Sequence, residues 1–440
     1  MATRYLRGIK AAVAGDPEAR LVFVCNFEVE RHWARNHVGL PGPAFSATGA
    51  IVQRMEELGA LLAGPGDFLI LKETLDPGFR NHLESLGLTL PTILVPENVR
   101  KGRSTTEDAL DSPRLLGTLA GLGRPLMPMG TSVLEEKLAA AAGIDLAVPD
   151  ETTFERVNGK TYSRRITAEL GLRMVPGANC STVDELTATL SGYPLTGGQR
   201  VVVKDAFGVS GIGLLVIDSR AKAEGLIRLC KRRAERSGDR RLDVVVEEWL
   251  PKRFDLNYQL TITRTGEVTL DFVKQAITHD GVHKGHLIPA ELDPDQLKEV
   301  HHAAQAVGVR LFADGYHGVA GIDAIVGEDG TVYPVLEINA RLNMASYQGG
   351  LTERFQPPGH VAMARHYSLR LSRALTFDEV YPKLPGGVIP TCFGTVNAAA
   401  DGPVPFEGRL HTLLVAPHRA ALDALDAETE LALAALTEDR

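Results

Sequence analysis

The sequence predicts a fold that combines the α/β and α+β classes: an N-terminal parallel α/β unit, an α+β core in two parts, and a small α/β tail. Three patterns predict it. Early in the chain, short apolar runs alternate with segments of helical period, as in a parallel sheet covered by helices. Residues 258–273 are rich in Thr, Val and Ile and read as an antiparallel meander. Later, two strand-like runs flank a glycine-rich turn and read as a hairpin. The expected division is residues 1–145, 146–380 and 381–440, the middle part dividing again after residue 250.

In the first unit, Leu21–Cys25, Asp67–Leu71 and Pro91–Val95 are the strand candidates, with a helix-period segment at Thr48–Gly59. Thr131–Ala140 reads as a helix with a polar cap and an acidic first turn. Lys160–Leu170 is helical and closed by Gly171, and Thr182-Val-Asp-Glu185 is a capping box opening another helix. Val201–Lys204 is a strand entering a glycine-rich loop, and Asp243–Leu250 is a strand. The meander follows, then a helix from Gln296 to Val307. Pro382–Gly387 reads as a linker. Beyond it, Gly387–Val396 and Arg409–Val415 are strand candidates and Ala420–Leu436 is helical.

The 440 residues are 44% hydrophobic and 23% charged, with a formal net charge of −8 and a sequence pI of about 5.9. Such a chain buries a sizeable core and has no overall basic field for nucleic acid. The clusters Lys231–Arg233 and Arg240–Arg241 read as solvated faces. Cys25, Cys180, Cys230 and Cys392 form no CxxC pair, which argues against a disulfide framework or structural zinc and fits a reducing cytoplasm. No run reaches the ~18 apolar residues of a membrane span, and Met1–Arg7 lacks the apolar core of a secretory signal. The expectation is a cytoplasmic protein without nucleic-acid or membrane partners.

Tyr333–Arg341 carries the sharpest chemical signal. Alternate strand residues share a face, so Glu337, Asn339 and Arg341 project together while Leu336 and Ile338 point to a core. Pairing with Gly321–Val326 through the turn Gly327–Gly330 brings Asp323 beside Glu337 and Asn339. Oxygen ligands of this kind suit Mg²⁺, and a guanidinium next to them suits a phosphate or carboxylate. An ordinary solvated hairpin face with charge pairs is the competing reading. A second signal is Lys204 followed by Gly208, Ser210, Gly211 and Gly213. Its backbone can approach phosphate oxygens closely, and the lysine adds a point charge. It is neither a Walker A loop nor a Rossmann fingerprint, and a structural turn is the alternative. The third signal, Glu247, Glu248, Trp249 and Leu250 at a strand end, is either plain core or a hinge offering backbone groups to a purine.

In this order, Lys160, the Lys204 loop, Glu247–Leu250, Asp323 and Glu337-Ile-Asn339-Ala-Arg341 resemble the ATP-grasp superfamily over roughly residues 146–375. The resemblance implies two α+β subdomains that clamp ATP. It implies Lys160 and Lys204 on the phosphates, and Glu247, Glu248, Trp249 and Leu250 at the adenine. Asp255 would then bind the ribose, and Lys274, ahead of Pro289-Ala290, the γ-phosphate. Asp323, Glu337 and Asn339 match ligands of magnesium, with two ions expected, and Arg341 matches the arginine that stabilises acyl-phosphate and tetrahedral states. Gly321 departs from members that carry an arginine two residues before the first metal ligand. His283, Lys284 and His286 are expected on a loop that could face substrate, a lone histidine there being more often solvated.

The N-terminal unit resembles a pre-ATP-grasp domain. The segments Gly387–Asn397 and Gly408–Val415 resemble the small C-terminal domain of peptide ligases of the pheganomycin-biosynthesis kind. What this implies is a carboxylate–amine ligase of secondary metabolism, antibiotic biosynthesis included. It would activate a carboxylate, in that family one of a nonproteinogenic, guanidino-bearing amino acid, and couple it to the N-terminal amine of a peptide. A homodimer is left open. A small-molecule kinase and a non-catalytic nucleotide-binding regulator are the alternatives.

Overall fold

The computed structural model describes residues 2–41, 49–208, 213–279, 282–399 and 404–438. Three sheets organise it. The first contains β1 (Val22–Val24), β2 (Phe68–Ile70), β3 (Thr92–Leu94) and β4 (Leu126–Pro128), all parallel in the order β3-β2-β1-β4. β1 and β4 are buried along their whole length, as expected of a sheet with helices on both faces. The helix expected at Thr48–Gly59 is broken into Ala50–Arg54, a 3₁₀ turn at Met55–Leu58, and Gly59–Leu62. The expected cap at residue 131 falls one residue later, where Ser132 and Glu135 form a reciprocal box at the start of Val133–Ala142.

The second sheet is antiparallel: β5 (Gly177–Thr182), β6 (Val201–Asp205), β7 (Leu214–Ile217) and β8 (Arg241–Glu248), in the order β5-β8-β6-β7. The helices Val183–Gly192 and Arg220–Ser237 cover it through a core of their own, built from Val183, Leu186, Leu226, Cys230, Val203 and Val244. Thr182 caps the first of them, accepting from the Glu185 N–H.

The third sheet holds β9 (Lys252–Ile262), β10 (Val268–His279), β11 (Val282–Ile288), β12 (Gly318–Gly327), β13 (Val332–Asn339), β14 (Val361–Leu371), β15 (Val388–Cys392) and β16 (Phe406–Ala416). Its order is β13-β12-β9-β10-β11-β14-β16-β15. Two features differ from the sequence expectation. Residues 282–288, expected as a loop, are a full strand. The tail strands β15 and β16 continue the central sheet, β16 pairing with β14 from Val361↔Ala416 to Leu371↔Phe406. The helix Arg419–Glu438 is tied back to β14 by Arg365 on Asp426 and by Tyr367 Oη on Asp426 at 2.6 Å.

One hydrophobic core joins the N-terminal unit to the central sheet. Phe23, Trp33 and Leu69 pack in the same cluster as Phe154, Ile166, Tyr258, Ile322, Ile338 and Leu342. The site described next therefore sits on a shared, close-packed base and not across an open gap.

Candidate active site

The central sheet, the glycine-loop sheet and the N-terminal unit line a cavity of about 570 Å³. One end is acidic. The hairpin register pairs Asp323 with Glu337 and Gly321 with Asn339, so the three expected ligands share one face. Asp323 accepts from Asn257 Nδ2 at 2.8 Å and from Asn339 Nδ2 at 3.1 Å. Burial, with the neighbouring Glu337 carboxylate adding to it, pushes Asp323 up to about 6. Asn257 Oδ1, beside it on β9, is buried without a hydrogen-bond partner. Two carboxylates, the Asn339 amide and this orphaned carbonyl oxygen make a hard oxygen donor set that fits magnesium. Among the described residues, no group of three or more His, Cys, Asp or Glu is arranged to hold a metal ion. A magnesium ion here would complete its shell with phosphate oxygens and water, as that ion usually does.

The lysines arrive from the other side. Lys160 opens the helix Lys160–Glu169, which is fixed on β13 because the Ile338 N–H donates to Ser163 Oγ at 3.0 Å. Lys160 Nζ then reaches Glu337 Oε1 at 2.7 Å and the Gly208 carbonyl at 2.8 Å. Burial disfavours its charge, but Glu337 and Glu30 outweigh that and hold its pKa above the usual lysine value. Lys204, near the end of β6, donates to Glu247 Oε2 at 2.6 Å, and Arg164 takes Glu247 Oε1 at 2.9 Å. Gly208 and Gly213 line the cavity. Gly213 has φ +79°, and a side chain there would meet the Asp205 carboxylate at 2.8 Å, so glycine is required twice over. Ser210 and Gly211 lie outside the described residues.

Glu247, Glu248, Trp249 and Leu250 do not line this cavity. Glu247 spends its carboxylate on Lys204 and Arg164, while the Trp249 N–H donates to the Arg200 carbonyl at 2.9 Å and its ring lies under the Arg200 guanidinium. Asp255 does line the cavity, accepting from Lys252 at 2.6 Å and Thr278 Oγ1 at 3.0 Å.

Arg341 lies just beyond the end of β13 and folds back, Nη2 donating to Asn339 Oδ1 at 3.0 Å. Its main partner is Glu30 of the N-terminal unit, reached by Nε at 2.8 Å and also by Nη2. Burial works against the charge, but Glu30, Glu337 and Asp323 together raise its pKa. The adjoining Leu342 N–H donates to the Met129 carbonyl at 3.1 Å, so the N-terminal unit fixes this turn as well. Asn343 explains Gly321. A Cβ at 321 would lie 1.9 Å from Asn343 Nδ2, so the amide fills the space an arginine would need. Asn343 Oδ1 accepts from the backbone of Ala345 and Ser346, which leaves Nδ2 buried, unpartnered and on the cavity wall. Sequence reasoning missed Glu30 and Asn343. Asn343 stands two residues beyond Arg341 in the same alternation and was findable; Glu30, 311 residues away, was not.

Lys274, expected at the γ-phosphate, lies away from this cavity. It is 0% exposed and does not line the cavity; Nζ donates to the Ala345 carbonyl at 2.9 Å and Gln348 Oε1 at 3.2 Å, over the Phe272 ring. Burial drives its pKa well down, against the pull of Asp271. It positions the segment after Arg341. Lys284, five residues before Pro289, is the lysine of this region that does line the cavity. His283 and His286 stand on β11 with it, their Nε2 atoms 3.2 Å apart.

Two family models match the chain: Pre ATP-grasp domain over residues 55–144, and Carbamoyl-phosphate synthase L chain, ATP binding domain, over residues 159–353. A [Butirosin acyl-carrier protein]–L-glutamate ligase of Niallia circulans is 27% identical over 333 residues, 75% of this chain and 72% of that protein. Among solved structures, an N5-carboxyaminoimidazole ribonucleotide synthetase in complex with ADP superposes with a TM-score of 0.56 at 11% identity, covering 94% of this chain and 96% of that one. A Campylobacter jejuni biotin carboxylase in complex with β,γ-ATP gives 0.55 at 13% identity, covering 92% and 90%.

Proposed function

The chain belongs to the ATP-grasp superfamily, and on that premise we propose that it is an ATP-dependent carboxylate–amine ligase that joins an amino-acid-like acid to the N-terminal amine of a peptide in natural-product assembly. The observation that carries the reading is the cavity's acidic end, where Asp323, Glu337 and Asn339 share one hairpin face and Arg341 stands at its margin. The Niallia relative, named for joining L-glutamate to a butirosin acyl-carrier protein, supports an amino-acid substrate.

Asp323, Glu337 and Asn339 would hold magnesium, which supplies charge neutralisation on the transferring phosphoryl group when bound. Lys160 and Lys204 would turn from their carboxylate partners to phosphate oxygens, which is why each stands at the glycine loop with one acidic contact. Arg341, its orientation set by Glu30, would hold the donor carboxylate in a bidentate contact, and Asn343 Nδ2 would donate to the carbonyl oxygen. A donor oxygen attacks the γ-phosphorus as the bond to ADP breaks. The amine nitrogen then attacks the acyl carbon, phosphate leaves with the former carboxylate oxygen, and the amine loses a proton. Exclusion of water from the closed cavity would protect the activated acyl group. The division after residue 145 belongs to the same proposal, with the strands Val388–Cys392 and Phe406–Ala416, which extend the central sheet, serving as a wall of the cavity. The test is a screen of amino acids against short peptides with ATP and Mg²⁺. The expected result is ADP release that depends on both partners and a product mass equal to their sum less water. ADP release with a phosphorylated alcohol as product would overturn the reading.

A further inference from the structure

The cavity is polarised in a way that nucleotide chemistry does not require. Its acids, Asp255, Asp323 and Glu337, lie on β9, β12 and β13. Along the sheet, past β10, the wall formed by β11, β14 and β16 has no acidic lining residue and presents Lys284, His366, Arg409 and His411. His366 and His411 are cross-strand partners on one face, their rings 5.4 Å apart. His411 is only 5% exposed, and its Nε2 is buried with no hydrogen-bond partner. Among the described residues, neither Arg409 nor Lys284 has an ion-pair or hydrogen-bond partner for its side chain, whereas Arg365, between them, is held by Asp426 and Glu430. A guanidinium and an ammonium without side-chain partners, next to a buried unsatisfied imidazole, form a cluster suited to an anion.

We propose that Arg409, His366 and His411, with Lys284 beside them, bind the terminal carboxylate of the amine acceptor. The acceptor is then a peptide with a free C-terminus, and this inference rests on the ligase reading. The geometry favours the acceptor over the donor, because the donor acid must reach Arg341 and the magnesium ligands at the other end. β16 is five strand spacings from β12, ~24 Å along the sheet. An extended peptide rising ~3.3 Å per residue needs about seven residues to span that. Burial first, then the neighbouring cations, holds His366 down to about 2; burial, then Arg409, holds His411 down to about 3. Both imidazoles are therefore neutral at physiological pH and offer N–H groups, while Arg409 and Lys284 supply the charge.

The probe is N-acetyl-trialanine, whose blocked amine cannot react, set against its C-terminal amide. Calorimetry on the full chain should show the free acid binding at least about tenfold tighter, the margin expected of a charge-assisted contact, and Arg409→Gln should erase the preference while Arg409→Lys keeps part of it. His411→Gln serves as the second variant if Arg409→Gln does not fold. Equal binding of acid and amide by the wild type overturns the proposal. In turnover, the acetylated peptide should compete with the acceptor and not with the donor acid; competition with the donor would reassign the site and overturn it. A preference for the acid in a protein that activates no carboxylate would instead refute the ligase reading and leave the anion site standing.

Discussion

Asp323 and Glu337 face each other across one rung of a hairpin, and only one of them has a lysine. That asymmetry follows from Lys160 entering beside Glu337 while Asp323 is left to two amides. Asp323→Asn and Glu337→Gln should each leave the melting profile near that of the wild type and cut turnover by on the order of a thousandfold, several kcal/mol of transition-state stabilisation. Near-normal turnover at ordinary Mg²⁺ in either variant would show the metal to be elsewhere. A second buried carboxylate gives a pH signature. Burial pushes Glu28 from 4.5 up to about 7, with Glu135 adding to it. The folded state then binds more protons than the unfolded chain between those values, so this carboxylate's contribution to stability falls as pH rises through that window. Glu28→Gln should therefore be more stable than the wild type above pH 7, by up to about 3 kcal/mol, and equal to it below pH 4.5. The check is chemical denaturation at both pH values; a difference that does not change with pH would refute it.

The hairpin was legible in the sequence because strict alternation and a glycine turn are local signals. The capped helices were legible for the same reason. What escaped is informative. β14 contains Met363-Ala-Arg-His-Tyr-Ser368, with no β-branched residue in that stretch, and no strand was expected there; only its pairing with β11 and β16 makes it one. β11 was read as a loop that could face substrate. Gly285 is needed because a side chain there would meet the Ala364 carbonyl at 2.0 Å, a close approach invisible in one sequence. Lys274 was placed at the γ-phosphate by resemblance on loose spacing, and its burial was not visible in the sequence. The tail looked like a separate domain because a Pro-Gly linker precedes it, yet β16 pairs along the whole of β14. Truncation after Leu384 should therefore yield an insoluble or unfolded chain. A soluble product with a cooperative transition would mean that the tail strands are dispensable to the sheet.

At the scale of the molecule, three sheets converge on one cavity, and each contributes a different kind of group. The glycine-loop sheet brings Lys204, the central sheet brings the acidic hairpin and the cationic wall, and the N-terminal unit brings Glu30 and Met129 to fix the Arg341 turn. That division of labour explains why composition and charge say nothing of the substrate. No helix among the described residues is long and apolar enough to cross a membrane. Activation of a carboxylate by phosphoryl transfer beside Arg341 has a direct isotopic signature. The most direct measurement supplies a donor acid labelled with ¹⁸O in its carboxylate, with ATP, Mg²⁺ and hydroxylamine as the trapping amine. A hydroxamate should form in step with ADP, with one ¹⁸O in each released phosphate. Unlabelled phosphate with no hydroxamate, under conditions where ADP is still produced, would contradict carboxylate activation.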